Sequence, residues 1–429
     1  MPRRRPEERN IGYYNEKIET MDRADRAVLQ QKAALRSLRY AYEKAPGYRK
    51  FLDERGIMPA SVGTIDDFPK IPVLKKNRMP ERHRENPPFG GFLAVPVESL
   101  KRIYVSPGPL YDPEGRKEDY WGLRKCLYNV GFRSGDLVMN TFSHHLTPAG
   151  IFLDEACGGI GCVMVPTGVG NTEIQVRTMV ELKINGYLGT ASFLLSLIRK
   201  MGEMGYDPSG NLAIEIALVG GEILVPAHRK DLNDYGVIVR QAYITAELGA
   251  LAYECPRENG MHLAEDQYVE ICDPSTGEPL PNGSVGEVVV TNLANDCYPL
   301  VRYGTGDLSA VDDEMCACGR TSRKLRGILG RADEVTKVRG MFVHPRQVDE
   351  AVSRFAGEVD AARLVVTREG GADKMTLEVR LKPGVQGTDV LRDSLTERVR
   401  EATKLRGEVV FVADIPANSR KIEDRRKWE

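Results

Sequence analysis

From Arg102 onward the chain alternates short apolar runs with helical segments, and this alternation restricts the fold more than any other feature. IYV, DLVMN, GCVMVP, GYLGT and IALVGGE read as strands, while Glu173–Leu182 and Ser192–Gly205 carry helical spacing between them. Strands separated by helices predict an α/β fold: a mainly parallel sheet covered by helices. A later stretch, GSVGEVVVTNL followed by YPLVRYG, predicts an appended β-hairpin or small barrel.

Composition narrows the class of partner. The 429 residues are 41% hydrophobic, enough for a large core and more than one domain. Basic and acidic residues nearly cancel, 60 against 61, so no global field recruits nucleic acid or an anionic membrane; a small-molecule partner is expected. No apolar run is long enough to span a bilayer. The opening MPRRRPEERN is mixed in sign with no apolar core behind it, unlike a secretory signal or a transit peptide. Eight cysteines in so long a chain predict reduced thiols and a cytoplasmic enzyme.

Ile11 to Arg55 is rich in Ala, Leu, Arg and Glu at helical spacing, with Val28, Leu35, Leu38 and Tyr42 on one face and Pro46-Gly47 ending the run. A proline-rich connector extends from Pro59 to Pro96. Beyond Asp333 the pattern changes. ARLVVTR, a turn at Glu369-Gly370-Gly371, MTLEVRL, a helix from Thr388 to Lys404 and EVVFV predict a small α+β domain. The boundary is therefore placed at Asp333, giving domains 1–332 and 333–429.

The segment from Tyr298 to Gln347 carries the chemistry. YPLVRYGTGD ends in Asp307, a fixed acceptor for paired hydroxyls such as a ribose offers, and Arg331 follows as a donor. With CACGR and KVRGMFVHP in the same order, the segment resembles the adenylate-forming superfamily, and within it enzymes like phenylacetate-CoA ligase. The resemblance implies a large N-terminal domain, a small mobile C-terminal domain, and an AMP-forming acid–thiol ligase using ATP, Mg²⁺ and coenzyme A on an aromatic carboxylic acid. It also implies a homodimer.

The remaining segments match that resemblance piece by piece. Gly220-Gly221-Glu222 after IALV corresponds to the turn against adenine, as Ser106 corresponds to the phosphate loop. YITAELG resembles the next signature, with Tyr243 on adenine, Ile244 and Thr245 beside the nucleotide, and Glu247 on Mg²⁺. PANSRK aligns with the segment that ends in a catalytic lysine, here Lys421, a point charge on a mobile domain. Asp333 would be the hinge, after which Lys337, Arg339 and Gly340 reach the site for thioester formation. FSHHLTPAG and PTGVGNTEIQV fall at the acyl pocket, giving His144, His145, Gly168, Gly170 and Asn171.

A structural zinc ion is a separate expectation. Cys255, His262 and the C-x-C pair Cys316 and Cys318 supply three thiolates and an imidazole, a donor set suited to closed tetrahedral zinc. Relatives of phenylacetate-CoA ligase carry matching residues. Cys126, Cys157, Cys162, Cys272 and Cys297 have no such company and are expected as small buried side chains.

The chain departs from the resemblance around the phosphates. Where related loops are rich in Ser, Thr and Gly and end in Gly-Lys-Pro, this one reads SPGPLYDPEG, and prolines donate no backbone N–H. Ala246 stands at an expected hydroxyl, and Arg420 replaces the glycine before Lys421. Two alternatives therefore stand beside the ligase: adenylation for another acceptor (a deazaflavin cofactor, or an amine in amide formation), and a nucleotide-binding homologue whose catalysis has decayed.

Overall fold

A computed structural model describes residues 6–106, 110–332, 336–339, 341–369, 372–416 and 419–426. Asp333, Gly340 and the glycines of the expected 369–371 turn lie outside the described residues. The chain divides into two compact units: 1–284, 288–305 and 310–328 form the first, and 285–287, 306–309 and 329–429 the second.

In the first unit the alternating segments form the expected sheet. Val163–Pro166, Leu137–Asn140, Gly186–Gly189, Ile216–Val219 and Ile238–Thr245 lie side by side in that order, all parallel. Helices Thr172–Glu181 and Ala191–Glu203 occupy two of the crossovers, the second capped by Thr190 accepting from the Phe193 N–H. The sheet then turns antiparallel through Gly249–Glu254, Met261–Leu263, Lys324–Leu325 and Val311–Asp312. Gly249 makes the first of those turns possible. Its φ is +73°, and a Cβ there would sit 2.2 Å from the Trp121 carbonyl oxygen.

GSVGEVVVTNL and the segment after YPLV become neighbouring strands, Gly286–Asn292 and Tyr303–Ser309, in a sheet that also contains Gln267–Cys272 and Leu74–Lys75. The short strand Leu74–Lys75 runs parallel to its partner with Leu74 opposite Tyr303. That pairing sets the connector's next residue, Lys76, beside the chemistry described below.

The N-terminal helix spans Arg23–Lys44, and a new helix begins at Pro46, where the prediction ends the run. Its buried face differs from the expected one. Ala34, Leu38 and Ala41 are fully buried, Leu35 and Tyr42 are partly buried, and Val28 is 52% exposed. Small residues at one-turn intervals let this helix approach the core closely, and Val28 lies outside that stripe. Among the described residues, no helix is long and apolar enough to cross a membrane. The five cysteines expected as small buried side chains are all buried.

His83, on the helix Met79–Glu85, is 3% exposed, and burial lowers its pKa to about 4. Its Nε2 lies 3.2 Å from the Tyr298 hydroxyl. The unfolded chain binds this proton near pH 6.5 and the folded chain only near pH 4, so stability is full above 6.5 and is lost as the pH falls through that window. Urea unfolding at pH 7.5 and pH 5 should therefore differ by on the order of 2 kcal/mol through His83, and His83→Phe should remove that increment. An unchanged pH dependence in the variant assigns the acid sensitivity elsewhere.

The second unit has its own core. Glu408–Phe411, Ala372–Leu381, Val359–Glu369 and Ile422–Asp424 form a four-stranded sheet whose central pair is antiparallel and whose outer pairs are parallel. Helices Pro345–Val352 and Asp389–Thr403 contribute Val348, Ala351, Leu395 and Val399 to the same apolar cluster. Thr388 caps the second helix and Lys404 ends it in a left-handed conformation, φ +60°.

Candidate active site

A cavity of about 180 Å³ opens in the first unit where the parallel strands end. Ser106, Gly220, Gly221, Ile244 and Thr245, each predicted to bind nucleotide, all line it. Ligands in open α/β sheets sit outside the carboxyl ends of the strands, and these residues occupy that position. Glu222 and Tyr243 do not line this cavity. Glu222 accepts from the Ser192 N–H at 2.8 Å and from its hydroxyl at 2.7 Å, capping the helix Ala191–Glu203, and Tyr243 is buried beside the turn.

The FSHHLTPAG segment contributes to the cavity wall through Phe142, Thr147, Pro148 and Ala149. His144 faces elsewhere: its Nε2 is 2.9 Å from Asp154 Oδ2, and the same carboxylate accepts from Asn140. His145 is exposed. Gly168 and Gly170 have positive φ, and Asn171, also left-handed, precedes the helix Thr172–Glu181; none of them lines the cavity.

Glu247 anchors a polar wall next to Ser106's strand. It is 4% exposed, its Oε1 lies 2.5 Å from Lys76 Nζ, and Oε1 also accepts from the Tyr303 hydroxyl at 3.2 Å. Asp112, on the strand Leu110–Glu114 that folds back on Arg102–Ser106, accepts from the Ser106 hydroxyl. Burial raises the Asp112 carboxyl, the charge of Glu247 raises it further, and Ser106 and Lys76 oppose the shift. Sequence reasoning missed Asp112 and Lys76. The signal available was an acid in DPEG where related loops end in Lys-Pro.

The Asp307–Arg331 pair lies in the second unit. The strands Tyr303–Ser309 and Gly330–Arg331 pair antiparallel with Asp307 opposite Arg331, and Arg331 Nη1 donates to Asp307 Oδ1 at 2.9 Å. The side chains are 18% and 41% exposed, so both remain reachable by a ligand. Gly306, φ +76°, lies under the guanidinium; a Cβ there would be 2.8 Å from Arg331 Nη2. Elsewhere in this unit Lys421 Nζ is 2.7 Å from Asp349 Oδ1, and Arg339, left-handed at φ +49°, donates its N–H to Asp373 at 3.2 Å. Lys337 lies on the strand Thr336–Val338.

In the first unit Cys255, His262, Cys316 and Cys318 converge, with their ligand atoms all within 4.8 Å of one another. Tetrahedral zinc with bonds near 2.3 Å places thiolate sulfurs about 3.8 Å apart, and the Cys255 and Cys316 sulfurs are 3.7 Å apart. Cys318 Sγ approaches His262 Nε2 at 3.3 Å, and His262 Nδ1 sits 3.2 Å from the Ser322 carbonyl oxygen. An N–H at Nδ1 bonded to that carbonyl leaves Nε2 free as a ligand, the usual support behind a metal-bound histidine. The antiparallel pairing of Met261 with Leu325 brings the two loops together.

Comparison with known proteins places this geometry. No family model matches the chain. It is 33% identical over 411 residues to a phenylacetate-coenzyme A ligase of Thermus thermophilus, covering 92% of this chain and 91% of that one. A phenylacetate-coenzyme A ligase of Aromatoleum evansii is 30% identical over 86% of this chain and 84% of its own length. Among solved structures, 2-hydroxyisobutyryl-CoA ligase in complex with 2-HIB-AMP and CoA superposes with a TM-score of 0.88 at 26% identity, covering 96% of this chain and 94% of that one. The chain belongs to the phenylacetate-coenzyme A ligase family.

Proposed function

We propose that this protein is an AMP-forming acid–coenzyme A ligase whose acid is aromatic, of the phenylacetate type. The observation that carries the reading is the convergence of Ser106, Gly220, Gly221, Ile244 and Thr245 on one cavity whose further wall is apolar, including Phe142 and Phe152. A turn rich in backbone groups suits a nucleoside, and an apolar wall suits an aryl group. The likeness to a solved ligase in complex with 2-HIB-AMP and CoA supports an acyl-adenylate and coenzyme A as ligands of this protein.

In this reading the turn at Gly220 and Gly221 holds adenine, Tyr243 stays the proposed stacking ring although it is buried outside the cavity wall, and Asp307 and Arg331 hold the ribose. Glu247 holds Mg²⁺; its unpartnered, buried Oε2 fits a hard cation. Bound there, the ion would neutralise phosphate charge. Lys421 stabilises the charge that builds as the acid's carboxylate attacks the α-phosphorus and pyrophosphate leaves. Positioning and electrostatics do most of this work. Asp333 is the proposed hinge between domains 1–332 and 333–429, with Lys337, Arg339 and Gly340 serving the thioester step. His144, His145, Gly168, Gly170 and Asn171 stay proposed as shaping the acyl side.

A panel of arylacetic, benzoic and short hydroxy acids offered with ATP tests the reading through pyrophosphate release. Release driven by an aryl acid, with a thioester formed only when coenzyme A is present, is the expected result. Release without transfer to coenzyme A favours another acceptor, and AMP binding with no release by any acid favours a decayed homologue.

Structural zinc belongs to the same proposal, together with a homodimer and a cytoplasmic location. Metal analysis of purified protein should find about one zinc per chain, and Cys316→Ser should lose it with a fall in melting temperature. Metal-free protein of undiminished stability rejects the site.

A further inference from the structure

Asp112 and Glu247 are both nearly inaccessible, 1% and 4% exposed, and each uses only one of its oxygens. Asp112 Oδ2 takes the Ser106 hydroxyl, and Glu247 Oε1 takes Lys76 and Tyr303. Asp112 Oδ1 and Glu247 Oε2 are buried with no hydrogen-bond partner. Ser106, which donates to Asp112, and Ala246, which precedes Glu247, line the same cavity. The charge of Glu247 raises the Asp112 carboxyl, and Lys76, in contact with Glu247, opposes that shift. Two buried carboxylates sharing one ammonium leave a negative charge uncompensated, a costly arrangement unless a proton or a further cation joins them. Hard divalent ions take oxygen ligands of this kind, using one or two carboxylates and completing the shell with water or phosphate. Ser106, bonded to Asp112, lines the cavity, which gives an ion a way in.

We propose that Asp112 joins Glu247 in a two-carboxylate site for a divalent cation of the Mg²⁺/Mn²⁺ class, with Lys76 competing for the same field. The proposal rests on the reading of Glu247 as a magnesium ligand and adds the second carboxylate. It also gives the departure in the phosphate loop a purpose: where related loops supply a cation of their own, this one supplies a ligand for a cation.

The test is titration of the full-length protein with Mn²⁺ alone, reading free Mn²⁺ by electron paramagnetic resonance without nucleotide. Wild type should bind Mn²⁺ in the micromolar-to-millimolar range. Asp112→Asn and Glu247→Gln should each weaken it about tenfold or more, and Lys76→Met, which removes the competing ammonium, should tighten it. An Asp112→Asn Kd within about twofold of wild type overturns the proposal, as does a wild-type protein that binds no Mn²⁺. Circular dichroism checks that Asp112→Asn folds. Where it does not, Lys76→Met decides, and unchanged Mn²⁺ affinity in that variant overturns the proposal. Asp112-dependent Mn²⁺ binding in a protein that activates no acid would support this site while sinking the ligase reading.

Discussion

Replacing Lys421 with alanine is expected to slow pyrophosphate release by about 10²–10³-fold, the usual loss when one charge-stabilising group leaves a transition state. Thioester formation from supplied acyl-AMP should be nearly unchanged, because the charge that Lys421 meets exists only while the α-phosphorus is being attacked. The structure makes the residue a clean test. Its backbone carbonyl accepts from the Leu364 N–H at 2.9 Å, which continues the sheet and does not depend on the side chain. Its Nζ is held by Asp349, an ion pair with side chains 36% and 60% exposed. Such a pair is screened by water and contributes little to stability, so the ammonium is readily released and its removal should leave folding intact. Lys421→Arg should restore only part of the rate, since a planar fork does not replace a compact point charge. Equal loss of both half-reactions, or loss of neither, removes Lys421 from the mechanism.

The second large effect concerns the ribose. Asp307→Ala should raise the ATP concentration needed for half-maximal rate by about 10–100-fold, the range for losing charge-assisted hydrogen bonds. More telling is the comparison of ATP with 2′,3′-dideoxy-ATP. Wild type should discriminate strongly between them and the variant hardly at all, because the same interaction is deleted from either side. Arg331 is aligned by its bond to Asp307, so Arg331→Ala should lose part of the same discrimination. A variant at Asp307 that rejects the dideoxy nucleotide as well as wild type does would show that the carboxylate faces no sugar.

Much of this was legible because the signals are local. The parallel strands are apolar runs with turn residues at their ends, and Ile216–Val219 is buried at every position. GGE and YITAE could be assigned to one site because the first follows such a strand and the second closes the next one. What was not legible depends on pairings between distant segments. Lys76 reaches Glu247 through the short strand Leu74–Lys75 lying against Tyr303, a contact no periodicity announces. Asp112 meets the Ser106 hydroxyl only because the strand Leu110–Glu114 pairs with Arg102–Ser106. The Cys/His set was visible as a C-x-C pair with a plausible fourth ligand, yet its convergence needed the pairing of Met261 with Leu325. On the N-terminal helix, hydrophobicity pointed to Val28, whereas close approach selected Ala34 and Ala41. Arg26 is buried there instead, its guanidinium donating to the Ile18 carbonyl at 2.7 Å and the Thr321 hydroxyl at 2.9 Å.

The most direct measurement follows an oxygen atom. With the acid that turns over fastest, labelled with ¹⁸O in its carboxylate, the enzyme is run with ATP and coenzyme A and the nucleotide product is weighed by mass spectrometry. An acyl-adenylate leaves one labelled oxygen on AMP each time the thiol displaces it, so singly labelled AMP equal to the acyl-CoA formed is the predicted result. Unlabelled AMP, or ADP in its place, would contradict the account.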